Sequence, residues 1–178
     1  ITNRFLIPLG LNDTMPSDRR DLPGLAAGYP SPGNPFAFPN KSTDEAGHLC
    51  WHPGVEWAGG GLVSSAPDLA RWGAALFGQM GQSGVPMRAL LASVPMSDTD
   101  PSRRYGLGIA VAAGGPHGPV YGHAGWIPGY ISSLRHYPDR DLTVAIQINT
   151  DIGIADAQTD VLGRIEMQVL RTILAEAR

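Results

Sequence analysis

Apolar positions along this chain change their period twice, and each change predicts a different element. In AGGGLVSSAPDLARWGAALFG, Leu69, Trp72 and Leu76 recur three and four residues apart, the spacing of one helical face. Ser65 with Asp68 three residues on predicts a capping box at the start of that helix, Pro67 is tolerated in its first turn, and Gly78 ends the run. From Tyr105 onward the period falls to two. RYGLGIAVAA, PVYGHAG, GYISSLRHYP and LTVAIQIN read as four strands over residues 105–149, joined by turns rich in Gly, Pro and Asp. A link as short as PDRD at 138–141 implies antiparallel neighbours. Val144, Ala145, Ile146 and Ile148 make a nearly unbroken apolar run, which predicts a central strand buried on both faces. Such a strand needs two neighbours. The segment 129–138 supplies one, and the expectation is that an earlier part of a larger chain supplies the other.

The period then returns to that of a helix. Over residues 156–177, Val161, Ile165, Val169 and Ile173 fall on one face, with Arg164, Glu166, Arg171 and Glu176 elsewhere, so this last segment is predicted as an amphipathic helix lying on the sheet. Ahead of the periodic region, residues 16–56 are crowded with Pro, Gly, Asn and Ser (PSPGNPFAFPN is the extreme) and predict a long, irregular, functional excursion whose aromatics pack against a body. Gly59, Gly60 and Gly61 permit close backbone approach but signal no particular ligand. The opening ITNRFLIPLGLNDT reads as the last turn of a helix ending near Pro8 and Gly10, and a start at Ile1 suggests a chain cut from something longer. The fold class is α+β, an antiparallel sheet covered by helices.

Composition narrows the function more than the fold. With 43% hydrophobic and 16% charged residues, 178 residues suffice for one domain with a real core or for most of a larger one. A net charge of -3 offers no basic stripe for a phosphate backbone, which argues against nucleic-acid binding and for small, weakly charged partners. No apolar run reaches the roughly 18 residues a membrane span needs. One cysteine, Cys50, rules out a disulfide within the chain and leaves the compartment open.

The chemistry most worth pursuing is in YGHAGWIPGY. His123, Ala124 and Gly125 close a strand, with Gly122 before and Trp126 after. A glycine there lets a substrate lie close to the backbone, the N–H just beyond it can face a developing oxyanion, and the imidazole can donate a hydrogen bond or move a proton near neutral pH. Other groups carry less. His48, Cys50 and His52 in HLCWH alternate and would face one way on an extended segment, but ligands at i, i+2 and i+4 close a tetrahedron poorly, so no metal is assigned. His117 sits in the turn GGPHGP and is expected to be solvated, and His136 is expected to be a sheet-face neighbour. Asp139 and Asp141 belong to a turn signature, and no G-x-S-x-G elbow exists.

Taken in order and spacing, AGGGLVSSAPDLARWGAAL, RYGLGIAV and YGHAGWIPGYISSLRHYPDRDLTVAIQIN resemble the serine β-lactamase-like superfamily of class C β-lactamases, D-alanyl-D-alanine carboxypeptidases and related esterases. PLGLNDT resembles the segment that follows the second catalytic motif of those enzymes. The family's strand motif is Lys-Thr-Gly or His-x-Gly, and His123, Ala124 and Gly125 match the second form. The resemblance implies that His123 serves in electrostatics, proton traffic or binding of a substrate carboxylate, that the Trp126 N–H is an oxyanion donor, and that Ala124 and Trp126 border the substrate. It also calls for a nucleophile in Ser-x-x-Lys and for a Tyr-x-Asn motif. The single lysine, Lys41, has Phe38 three residues before it, and no tyrosine has Asn two positions on. The expectation is therefore the C-terminal portion, over 1–178, of one β-lactamase-like domain, its N-terminal half and nucleophile lying in a preceding segment or a companion chain. The implied activity is hydrolysis of an ester, amide or β-lactam through an acyl-enzyme, without a cofactor, on a small-molecule acyl substrate. Relatives often have Thr, Ser or Gly after the motif glycine; Trp126 keeps the N–H but supplies no hydroxyl, which shifts the expectation toward esters or amides with a bulky apolar part. The alternative is a non-catalytic binding module that retains part of the fold.

Overall fold

The computed structural model describes residues 1–78, 87–154 and 160–176. In chain order it contains a π-helical turn at Thr2–Leu6, β1 (Met15–Pro16), a 3-10 turn at Pro53–Glu56, α1 (Trp57–Gly60), β2 (Leu62–Val63), α2 (Ala66–Phe77), α3 (Met87–Leu91), β3 (Val94–Pro95), β4 (Arg103–Tyr105), β5 (Ala110–Ala112), β6 (Val120–Ile127), β7 (Tyr130–Tyr137), β8 (Leu142–Ile148) and α4 (Val161–Glu176). Strands β3 to β8 form one sheet in the order of the sequence, the meander that short links favour. The α+β class with an antiparallel sheet is as the sequence predicts.

By backbone contacts the chain divides into two compact units. The first comprises Ile1–Met15, Ser64–Ala124 and Ser133–Ala145. Its ladder pairs β3, β4, β5 and the start of β6 antiparallel. The stretch RYGLGIAVAA, predicted as one strand, is two: Gly108 takes φ +72, the Gly106 N–H bonds the Ile109 carbonyl at 2.7 Å, and the chain doubles back so that Tyr105 pairs with Ala110. An alternating pattern cannot report a left-handed glycine inside it.

Helix α2 covers this part of the sheet closely. A Cβ on Gly73 would stand 2.7 Å from the Leu134 side chain and 2.8 Å from that of Thr143, so both would have to shift to admit a larger residue there. Phe77 stacks on His136 at 5.1 Å, and Trp72 meets Phe5 edge-on at 5.6 Å. Ser65 caps the helix by accepting the Asp68 N–H, yet Asp68 does not complete the predicted box. Its fully buried carboxylate instead accepts the Asp13 N–H at 2.8 Å, the Thr14 hydroxyl at 2.9 Å and the Arg71 guanidinium at 2.8 Å. A buried carboxylate needs partners of this kind, and here two of the three come from a segment 54 and 55 residues earlier.

Strand β8 stands at the edge of the sheet, with β7 its one neighbour among the described residues. Val144 is buried, while Ala145 and Ile146 are half-buried, so within this chain the predicted central strand is an edge strand. His136 on β7 is 2% exposed and shares a 2.9 Å hydrogen bond with Thr143. Burial pushes its imidazole below the usual range, partly offset by the Asp141 carboxylate. With the native pKa lowered, the unfolded chain takes up a proton that the folded chain refuses once pH drops below about 6.5. The thermal midpoint is thus expected to fall through that window and to hold steady above it. His136→Asn, followed by thermal melts across the same window, should flatten the dependence. His117, expected in solvent, is half-buried and lies edge-on to Tyr137 at 6.4 Å.

The second unit comprises Pro16–Val63, Gly125–Ser132 and Ile146–Arg178. Residues 16–52 have no helix and only isolated bridges beyond β1, as their Pro and Gly content predicts. Side chains supply what regular structure does not. The Gly28 N–H donates to Ser42 Oγ at 2.7 Å, Ser42 bonds the Tyr130 phenol at 2.6 Å, and that phenol donates to the Ala26 carbonyl at 2.8 Å. Burial raises the Tyr130 pKa, so the phenol stays protonated as a donor. Asn149 Nδ2 donates to the Ala27 carbonyl and Thr150 Oγ1 to the Tyr29 carbonyl, tying the excursion to the chain after β8.

Helix α4 buries Glu166 and Leu170, while Ile165 and Ile173 are exposed. The buried stripe is therefore rotated from the face predicted by Val161, Ile165, Val169 and Ile173. Residues 156–159 and 177 of the predicted helical segment lie outside the described residues.

Candidate active site

Strand β6 carries the four residues singled out by sequence. It is an interior strand, between β5 and β7, yet His123, Ala124, Gly125 and Trp126 are all exposed. The cause is the shortness of β5. Its pairing with β6 ends at Ala110 opposite Gly122, and β6 runs on for five more residues. Gly122, the last paired position, is buried, and a Cβ there would stand 1.9 Å from the Leu134 carbonyl oxygen.

His123 belongs to the first unit. Its Nε2 shares a 2.8 Å hydrogen bond with the Tyr105 phenol, and the rings meet edge-on at 5.6 Å. The sequence did not signal Tyr105: the apolar pattern placed it inside one long strand, whereas the turn after β4 brings it to a residue 18 positions away.

Gly125 and Trp126 belong to the second unit. A Cβ on Gly125 would lie 2.7 Å from Ser132 Oγ. The Trp126 indole N–H donates to Asp151 Oδ2 at 2.7 Å, and the other oxygen of this fully buried carboxylate accepts the Ser31 N–H at 2.6 Å. With its edge tied down, the indole remains 44% exposed, 6.2 Å from Phe36. Phe36 stacks on Phe38 at 5.5 Å, and Phe38 on Trp51 at 4.2 Å, so the aromatics of the excursion form a continuous row ending at Trp126. Asp151 and Phe36 were also not signalled, because nothing local in sequence marks a carboxylate as the partner of an indole 25 residues away.

The remaining candidates have local partners. His52 Nδ1 accepts the Gly54 N–H at 3.2 Å and so caps the turn at Pro53–Glu56; Cys50 Sγ lies 3.8 Å from the Lys41 carbonyl; His48 lies 3.8 Å from Asp44. Among the described residues no three of His, Cys, Asp or Glu gather as a metal site. Asp139 and Asp141 form the turn between β7 and β8, Asp141 in the left-handed conformation at φ +45.

The sheet and its helices have the serine β-lactamase and transpeptidase-like fold. The chain belongs to the Beta-lactamase family, which it matches over residues 1–166. Among solved structures it is similar to a D-stereospecific amidohydrolase from Streptomyces sp., with 26% identity and a TM-score of 0.67 over 84% of this chain and 43% of that one. It is also similar in fold to the D-amino acid amidase of Ochrobactrum anthropi SV3 solved with L-phenylalanine amide, with 20% identity and a TM-score of 0.74 over 99% of this chain and 51% of the amidase. The chain thus spans about half the length of these structures. No curated protein matches it significantly.

Proposed function

We propose that this chain is the C-terminal part of a serine hydrolase that works through an acyl-enzyme and cleaves an amide or ester beside a bulky apolar group. The observation that carries the proposal is the run of β6 beyond Gly122, where its pairing with β5 has ended and four consecutive positions are exposed. In an antiparallel hairpin closed by two residues, here Pro128 and Gly129, alternate N–H groups point toward and away from the partner strand. Counting back from Ile127, the Trp126 N–H turns away from β7, on a stretch whose residues are exposed. That is where an oxyanion donor has to point.

In this reading a serine of a Ser-x-x-Lys motif, on polypeptide beyond these 178 residues, attacks the substrate carbonyl. The Trp126 N–H helps to hold the tetrahedral oxyanion, and Gly125 lets the carbonyl approach. The amine or alcohol leaves with a proton, and water then releases the acid and regenerates the serine. His123 assists as a polar partner of substrate. Trp126 and Phe36 offer the substrate an apolar border, consistent with a tryptophan where relatives carry a small or hydroxylated residue. The 26% identity to a D-stereospecific amidohydrolase makes amides of D configuration the first substrates to try. Ammonia release from D- and L-phenylalanine amide by the full polypeptide that carries this sequence is the test. Hydrolysis of either supports the reading; a folded protein inert toward amides, esters and β-lactams alike contradicts it.

A further inference from the structure

We infer that Tyr105 is a positioning residue for His123: its phenol donates to Nε2, holds the ring as the Nδ1–H form, and makes His123 a hydrogen-bond donor at Nδ1. The value of that donor to catalysis rests on the function proposed above; the state of the ring does not.

The placement follows from the backbone. Tyr105 ends β4 and pairs with Ala110, which pairs with Gly122, so His123 lies one position past the ladder. The turn at Gly106–Gly108 returns the chain before β5 extends that far, and the Tyr105 side chain reaches the imidazole past the end of β5 at 2.8 Å. Both groups are exposed, so the contact is not enforced by burial. The Tyr105 bond is the one hydrogen bond that the His123 imidazole makes among the described residues, and Nδ1 has no partner among them.

Donor and acceptor strengths fix the direction. A phenol O–H is a good donor and a weak acceptor, whereas a bare imidazole nitrogen is a good acceptor, so O–H to Nε2 is preferred over Nε2–H to phenol oxygen. The neutral ring then carries its hydrogen on Nδ1. If the ring gains a proton, Nε2–H turns to donate to the phenol oxygen and Nδ1–H is unchanged. In both charge states the ligand-facing atom is a donor. His123 therefore suits a substrate carbonyl, carboxylate or developing oxyanion, and it does not serve as the base that takes the nucleophile's proton through Nδ1, which would require that atom to be bare.

Nitrogen NMR on the full polypeptide labelled with 15N histidine tests this, with the His123 signals assigned by their loss in His123→Gln. The expected spectrum at a pH where the ring is neutral has Nε2 as the bare nitrogen and Nδ1 as the protonated one. In Tyr105→Phe, which removes an exposed hydroxyl, the balance should move to the Nε2–H form that free histidine favours. A native ring already in the Nε2–H form, or one unmoved by Tyr105→Phe, overturns the inference. In turnover, losing this one hydrogen bond should lower kcat about tenfold, with KM changed less than about twofold; an unchanged kcat would also overturn the positioning role. An inert polypeptide whose His123 shows the Nδ1–H form would overturn the proposed hydrolase and leave the ring assignment standing.

Discussion

Gly125→Val in the full polypeptide is expected to lower acyl turnover by about a hundredfold or more, the scale of losing an oxyanion donor. Two effects combine. The first added carbon would stand 2.7 Å from Ser132 Oγ, which forces that side chain or the strand to shift. In the proposed site, the branched methyl groups would then occupy the exposed surface over which a substrate carbonyl reaches the Trp126 N–H. Stability should change far less, because Gly125 is exposed and Ser132 can rotate. The check is kcat/KM for an amide substrate set beside the urea midpoint. A variant as active as the parent removes the strand from the site.

Gly122→Ala has the opposite character and the largest expected effect on stability, about 3 kcal/mol, the upper end of overpacking penalties. The new Cβ would lie 1.9 Å from the Leu134 carbonyl oxygen and 3.2 Å from Arg135 Cα, both backbone atoms that no rotamer change can clear. Relief requires β6 to move off β7, and the position is buried. Urea denaturation of the variant reads this directly. A loss below about 0.5 kcal/mol, the range of ordinary surface substitutions, would show that the two strands are not packed as described.

How far the sequence foretold the structure depended on how local each determinant is. Helix α2 was legible because Ser65, Pro67, Leu69, Trp72, Leu76 and Gly78 sit within one short run. Strands β6, β7 and β8 were legible because alternation and the turns at Pro128–Gly129 and 138–141 mark both ends of each. Where a distant partner decides, local reading failed. Asp68 looked like part of a cap and is instead held by Asp13 and Thr14. The stripe on α4 was assigned to the β-branched residues, yet Glu166 and Leu170 are the buried pair. The run at Val144 is a different case: the sequence offered it one neighbour, the segment that forms β7, and β7 is its one neighbour among the described residues.

The candidate site divides along the same line. His123, Ala124, Gly125 and Trp126 could be named as candidates because the His-x-Gly pattern is contiguous. Tyr105, Asp151 and Phe36 were not, since each meets that strand only through the fold. Proline-rich sequence such as PSPGNPFAFPN announces a loop without revealing that its rings will line up against Trp126.

Covalent trapping tests the central claim most directly. The full polypeptide carrying this sequence is treated with a fluorophosphonate, and the modified peptide is identified by mass. The account predicts one adduct, on the serine of a Ser-x-x-Lys sequence outside these 178 residues, and no adduct on the 178 residues by themselves. An adduct on a serine within them, or a folded polypeptide that reacts nowhere, would contradict it.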